Sequence, residues 1–299
     1  MFYEIPPMDL KSYIKNNEAL VEKRFETLVL DEDIPERLRE AMNYSLKAGG
    51  KRLRPTLVIA GAEAVGGEAQ AVLDVGIVME MIHTFSLIHD DLPAMDDDDL
   101  RRGKPTNHKV FGEAIAILAG DALLADAFYL LSNSLKNLKG ERGLGIISDI
   151  ALATGSRGMT GGQVLDMESS GAITLESLER IHKYKTGALI SVSVVSGAKC
   201  FTDDDEKIAA LDEYGKSIGL AFQIADDVLD IEGDQDKLGK DVGSDLANDK
   251  STYPAILGLD GSKKKARMLV EQALTSLSSF DEKADPLRNL AKYIIERDK

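Results

Sequence analysis

The chain of 299 residues has one cysteine, Cys200, so no disulfide can form within it, and a reducing compartment is its natural setting. Tryptophan is absent, aromatic residues make up 5%, and there are only 8 prolines, several near expected helix edges, as at Pro55, Pro105 and Pro254. Alternating apolar–polar patterns are nearly missing, which argues against a sheet-based fold. No apolar run reads as a membrane span; the most apolar region, Ala114 to Leu131, is interrupted by Asp121 and Asp126. Met1 to Leu30 carries scattered charges and no apolar core, so it does not read as a signal peptide. A soluble, cytoplasmic protein with no stable membrane insertion is expected. Positive charge is also in short supply: 36 Lys and Arg against 51 Asp and Glu leave a net charge of −15, the wrong sign for a nucleic-acid partner.

What is present is a globular balance, 43% hydrophobic and 29% charged, in a chain long enough to bury a sizeable core. Helical periodicity dominates. From Glu206 to Ile231, apolar or small residues recur at 208, 211, 215, 218, 222, 225 and 229, steps of three and four that mark one buried face. Val72 to Ile88, Ala114 to Leu131, Ile146 to Met167, Leu178 to Ser196 and Lys263 to Leu277 read the same way. The expected breaks are Gly66-Gly67, Arg101 to Phe111, Asn137 to Gly145, Ser169 to Thr174 and Gly233 to Lys250. No linker-like shift in composition divides the chain, so a single all-α domain over residues 1–299, a large helical bundle, is expected.

Two aspartate clusters stand out. Asp226, Asp227 and Asp230 lie in a helical pattern, with Asp226 and Asp230 four apart on one face and Gln223 on the same face. Carboxylates this close repel unless a cation neutralises them, and an all-oxygen set suits a hard divalent ion such as magnesium. Taken alone in an acidic chain, the cluster reads more readily as a solvated acidic helix end than as a metal site. The other cluster, Asp90, Asp91 and Asp96, cannot share one face of a straight helix, because six residues point Asp90 and Asp96 apart. Pro93 between them predicts that the chain leaves the helix and brings Asp96 back. Six aspartates from Asp90 to Asp99 are followed at once by Arg101, Arg102 and Lys104. Carboxylates for metal next to guanidinium forks for phosphate oxygens are what a metal–diphosphate complex needs. A mixed surface loop has the same composition.

Other cations fall at expected helix ends. Gly49-Gly50 followed by Lys51, Arg54 and Pro55 predicts a helix start between Lys51 and Arg54, a place that favours anions, although taken alone the segment reads more readily as a positively charged turn. Lys185-Thr186-Gly187 lies in a helical stretch that Gly187 weakens, and a break there would turn the carbonyls of Lys185 and Thr186 toward a cavity. Lys240 and Lys250 follow the second cluster. His83 shares a face with Ser86 and Asp90 and is either an anion donor or a satisfied core histidine; His89 and His182 read as structural.

Together the strings GGKRLRP, SLIHDDLPAMDDDDLRRGKPTNHKVFGEA, ILAGDALL, KTGAL, GLAFQIADDVLD and KSTYPA resemble the trans-prenyl diphosphate synthases, from about Leu46 to Pro254 and again near Tyr293 to Arg297. The resemblance implies the all-helical isoprenoid-synthase fold, a homodimer, and three magnesium ions held by the aspartate motifs against an allylic diphosphate. It further implies that Arg101, Lys185, Lys240 and Lys250 contact the allylic diphosphate and that Gly50, Lys51, Arg54, His83 and Arg102 hold isopentenyl diphosphate. Thr186, Gln223 and the Lys185 carbonyl would sit at the reacting carbons. The reaction implied is head-to-tail condensation, for which no nucleophile–base pair is needed.

In this family the residues just before the first motif form a floor under the growing chain. Here they are Phe85 and Ser86, about 7–8 Å of helix below Asp90. A bulky ring at that place implies a fifteen-carbon, farnesyl product. Bacterial farnesyl synthases of this type often carry Tyr there and plant-type twenty-carbon synthases Met, so Phe departs from both; Met79 or Ile82 is an alternative floor. A non-catalytic subunit of a heteromeric synthase would have lost carboxylates that are intact here. A cyclase would lack the basic set, and an acidic calcium-binding scaffold leaves that set unexplained.

Overall fold

The computed structural model describes residues 8–28, 33–169, 173–232 and 252–296. Periodic apolar segments become helices almost without exception. In chain order these are α1 (Leu10–Leu28), α2 (Glu36–Leu46), α3 (Leu53–Glu63), α4 (Ala69–Asp90), α5 (Asn107–Phe111), α6 (Glu113–Leu135) and α7 (Arg142–Thr154). They continue as α8 (Met159–Glu168), α9 (Leu175–His182), α10 (Ala188–Lys199), α11 (Asp205–Glu232), α12 (Tyr253–Ser276) and α13 (Asp285–Glu296). The sheet content among the described residues is a single hairpin of two residues per strand, β1 (Leu100–Arg101) with β2 (Lys104–Pro105). The all-α expectation therefore holds.

Helices apolar on every side end up in the middle. In α3 each residue from Pro55 to Ala62 is buried, and in α10 each from Leu189 to Ala198. These two helices pack on each other and join two clusters of core side chains. Val58, Ile59 and Leu189 belong to the cluster of α1, α2, α4, α6 and α7; Leu57, Ala60, Ile190 and Val194 belong to that of α11, α12 and α13. Their backbones approach so closely that a Cβ on Gly61 would overlap the Val194 carbonyl and one on Gly197 that of Val58. Either alanine would force the helices apart.

Three details differ from the sequence expectations. Ile146 to Met167 is two helices, because Gly155 and Gly158 interrupt the periodicity between α7 and α8. Leu178 to Ser196 runs on as expected, but the weak point at Gly187 is a π-turn over Lys183–Gly187, not a break. And two helices are long and apolar enough to cross a membrane by length and composition: α4, whose apolar window is 72% buried, and α6, whose window is only 33% buried. Two aspartates did not lower the hydropathy of α6 enough to exclude it. α4 reads as a core helix, whereas α6 packs one side on α4 and leaves the other outward.

Candidate active site

α4 ends at Asp90, and the chain then folds back on itself. The Leu92 N–H donates to the His89 carbonyl, Met95 to Leu92, and Asp96 to Asp90 at 2.9 Å. The turn expected at Pro93 thus returns Asp96 to the side of Asp90. Burial, above all, raises the Asp90 carboxyl to about 6; Lys185 opposes the rise and Asp96 adds to it. Asp91 has a different task. Buried, it takes Arg101 at 2.5 Å, and Arg101 also reaches Asp98 at 3.3 Å. Asp91 is among the carboxylates expected to bind metal; here its Oδ1 is engaged by an arginine. Asp99 is likewise taken, by Lys109 at 2.6 Å, and the Thr106 hydroxyl donates to the Asp98 carbonyl at 2.8 Å, fixing the hairpin that carries Arg101 and Arg102.

The basic wall is assembled around a buried arginine that carried no assigned role. Arg52 has φ 45° and a fully buried side chain. It donates to Glu22 at 2.7 Å, to Glu80 at 2.8 Å and to the Leu46 carbonyl at 2.7 Å, and stacks 5.0 Å from the centre of the Phe25 ring. So tied, it holds the turn from which α3 starts, and that turn presents Lys51 and Arg54 on either side.

Burial lowers Arg54 to about 10; Glu80 and Asp226 attract it, Arg102 repels it, and its Nε is buried without a protein acceptor. Arg102, with φ 53°, donates to the Gly49 carbonyl. Its guanidinium lies on Gly50, where a Cβ would stand 2.7 Å from the guanidinium carbon; Gly50 itself has φ +130°. Burial first, and then Arg54, Arg102, Arg101 and Arg52, hold His83 well below its ordinary pKa, so the imidazole is neutral. Lys51 is exposed. With Gly50 it lines a cavity of about 280 Å³ together with Phe222 of α11 and Tyr293 and Ile294 of α13.

The second cluster lies on regular helix, as expected. Asp226 is half-buried near Arg54, and Asp230 is buried. Asp227 turns the other way and accepts the Tyr253 N–H at 2.9 Å, which caps the start of α12. It too is among the expected metal ligands, and one of its two oxygens is engaged by the fold. Gln223 is half-buried one turn earlier. Lys185 and Thr186 sit, half-buried, on the π-turn, whose wider step is marked by the Ala188 N–H donating to the Lys183 carbonyl. The turn rests on α11, where a Cβ at Gly219 would stand 2.9 Å from Gly187 Cα. Lys185 pairs with Asp166 of α8 at 2.6 Å, a partner the sequence did not suggest. The neighbours therefore close a ring: Asp96, Asp90, Lys185 and its turn, α11 with Asp226, Arg54, Arg102, and Arg101 with Asp91.

Among the described residues no three histidine, cysteine or carboxylate side chains converge to cage a metal. Magnesium typically takes only one or two protein carboxylates, with phosphate oxygens and water completing its shell. Asp90, its proton affinity raised by burial and by Asp96, is a carboxylate that a cation would restore to its charged form.

A family model for polyprenyl synthetase matches residues 35–291. The chain belongs to the polyprenyl synthetase family. It is 45% identical over 291 residues to the farnesyl diphosphate synthase of Bacillus subtilis, covering 97% of this chain and 98% of that protein. It is 48% identical over 293 residues to a chloroplastic geranylgeranyl pyrophosphate synthase of Catharanthus roseus, covering 97% and 82%. The crystal structure of an FPP/GFPP synthase from Zymomonas mobilis superposes with a TM-score of 0.86 at 41% identity, covering 96% of this chain and 99% of that one.

In this polyprenyl synthetase the proposed floor residues lie on α4 below Asp90. Phe85 is 9% exposed and packs with the first core cluster, while the Ser86 hydroxyl donates to the His83 carbonyl at 2.9 Å. His182, expected to be structural, is half-buried against the Tyr253 ring, and desolvation lowers it to about 4. Lys240 and Lys250 lie outside the described residues.

Proposed function

We propose that this protein is a farnesyl diphosphate synthase: it condenses isopentenyl diphosphate head to tail with dimethylallyl and then geranyl diphosphate. The observation that carries the reading is the ring of unlike charges. Asp90 and Asp96, and Asp226 and Asp230 on α11, supply carboxylates for magnesium, three ions with the allylic diphosphate by family likeness. Arg54, Arg102, Lys51, Gly50 and neutral His83 supply donors for a second diphosphate. The buried Arg54 Nε, lacking an acceptor, is the clearest sign of a missing anion.

Magnesium, when bound, would neutralise the departing diphosphate. The remaining work belongs to the chain. Lys185 and Arg101 draw on the same diphosphate, joined by Lys240 and Lys250 on family likeness. The carbonyls of Lys185 and Thr186 and the amide of Gln223 direct dipoles at the allylic cation. The double bond of isopentenyl diphosphate attacks that cation, and a proton is lost to the departing diphosphate. Asp91 and Asp227 keep Arg101 and α12 in place.

Relatives of fifteen- and twenty-carbon title match about equally well, so identity does not choose the product. Phe85 favours fifteen carbons. A homodimer fits the outward side of α6, where Ile117, Leu118 and Tyr129 are 43%, 53% and 73% exposed. The test is product chromatography with labelled isopentenyl diphosphate, an allylic diphosphate and magnesium. Farnesyl diphosphate is expected, and no incorporation of label would end the reading. Phe85→Ala should lengthen the product; an unchanged profile would remove Phe85 as the floor.

A further inference from the structure

The floor is not one side chain. Phe85 and His89 are one turn apart on α4, and their rings meet edge to face, with centroids 5.5 Å apart at 90°. His89 is in turn held from α6. Its Nε2 lies 3.1 Å from the Ile117 carbonyl, which can only accept, so Nε2 carries the proton. The ring fits there because residue 120 is glycine: a Cβ at Gly120 would overlap Nε2 and Cδ2 of the imidazole. The outer side is less restrained, since the His89 side chain is 27% exposed and Asp121 is 3.9 Å away. Three contacts therefore run in series, from the α6 backbone through His89 to Phe85.

We infer that His89, seated by Gly120 and the Ile117 carbonyl, is a positioning residue that holds the Phe85 ring in place and so sets product length. This rests on the reading of Phe85 as the floor. His89 touches no reacting atom. It fixes which way the Phe85 ring stands, because an aromatic side chain with a packed neighbour on one side has fewer rotamers open to it. Without that neighbour, Phe85 can swing toward α6 and let a longer chain pass. An alanine at 120 evicts the imidazole from its seat and has the same consequence without altering either ring.

The experiment measures the ratio of twenty- to fifteen-carbon product, by chromatography, for the parent, Phe85→Ala, His89→Ala, Gly120→Ala and the double variant His89→Ala/Gly120→Ala. The ratio is internal to each reaction, so a loss of folded enzyme lowers total turnover without moving it. His89→Ala and Gly120→Ala are each expected to raise it on the order of tenfold, the discrimination a few methylenes of pocket shape can give. The double variant should go no further than His89→Ala, since both act through one ring. If Phe85→Ala lengthens the product while His89→Ala and Gly120→Ala keep the parental ratio, the positioning role is wrong and the floor stands. If Phe85→Ala itself keeps the parental ratio, the floor falls and the positioning role with it. Should Gly120→Ala fail to fold, His89→Ala alone decides.

Discussion

The two aspartate clusters are written in nearly the same letters and built in different ways. The first lies where a helix ends, and its outer members meet only because the chain turns back, so that Asp96 N–H reaches the Asp90 carbonyl. The second lies on an unbroken helix, where a four-residue step suffices. Yet each divides its labour alike. In each, the middle aspartate serves the fold: Asp91 grips Arg101, and Asp227 caps α12 through the Tyr253 N–H. On the proposed reading the outer pair takes the cation. A run of adjacent carboxylates in a motif is thus two functions interleaved, because neighbours on a helix point about 100° apart.

That division can be broken by mutation. The largest effect should come from the outer members: Asp90→Ala or Asp226→Ala should cut turnover on the order of 10³-fold, the scale of removing one transition-state group, in protein that still unfolds cooperatively. Near-parental turnover in saturating magnesium would discard the outer pair as ligands. Next, Asp227→Ala should lower unfolding free energy by about 1–3 kcal/mol, the cost of an unsatisfied buried N–H, and Asp227→Asn should recover most of it. Equal melting curves for Asp227→Ala and the parent would show that this aspartate is not structural. Asp91→Asn releases part of the hold on Arg101 and should raise the KM for the allylic substrate about tenfold with a smaller change in kcat. A fall in kcat alone would place Asp91 with the metal ligands after all.

The smallest effect is one of pH. Asp90 has a folded pKa of about 6 against an ordinary value of 3.8, so the folded state holds this proton more tightly than the unfolded. Stability is therefore present in full below pH 3.8, declines as pH rises toward 6, and is level beyond. Asp90→Asn, free of metal, should melt higher than the parent above pH 6 by on the order of 1 kcal/mol, allowing for solvent screening. Below pH 4 the two should coincide. A gap that persists there would assign it to something other than titration.

Much was legible because it is local. Helix identity follows from 3.6-residue periodicity, and α11 was readable almost to its ends. Pro93 announced the turn beside Asp90, since a missing N–H interrupts a helix wherever it stands. Gly187 marked a weak point but not its form, because a π-turn depends on what packs against it, here α8 and α11. The periodicity across Gly155 and Gly158 was read as continuous because the apolar phase carries on beyond the gap.

Other features were out of reach of any local pattern. Arg52 sits in a basic string between Lys51 and Arg54 and looks like them; that it is buried on Glu80, 28 residues away, is a fact of how α3 meets α4. Asp166 meets Lys185 only because α8 packs on the π-turn. By itself the sequence determined the fold class, the family and the chemistry, since periodicity, charge order and motif spacing are carried along the chain. Only the tertiary structure decided which partners Asp91 and Asp227 meet, Arg101 for one and the Tyr253 N–H for the other. Burial and partners are properties of side chains that meet in space, and no spacing encodes them.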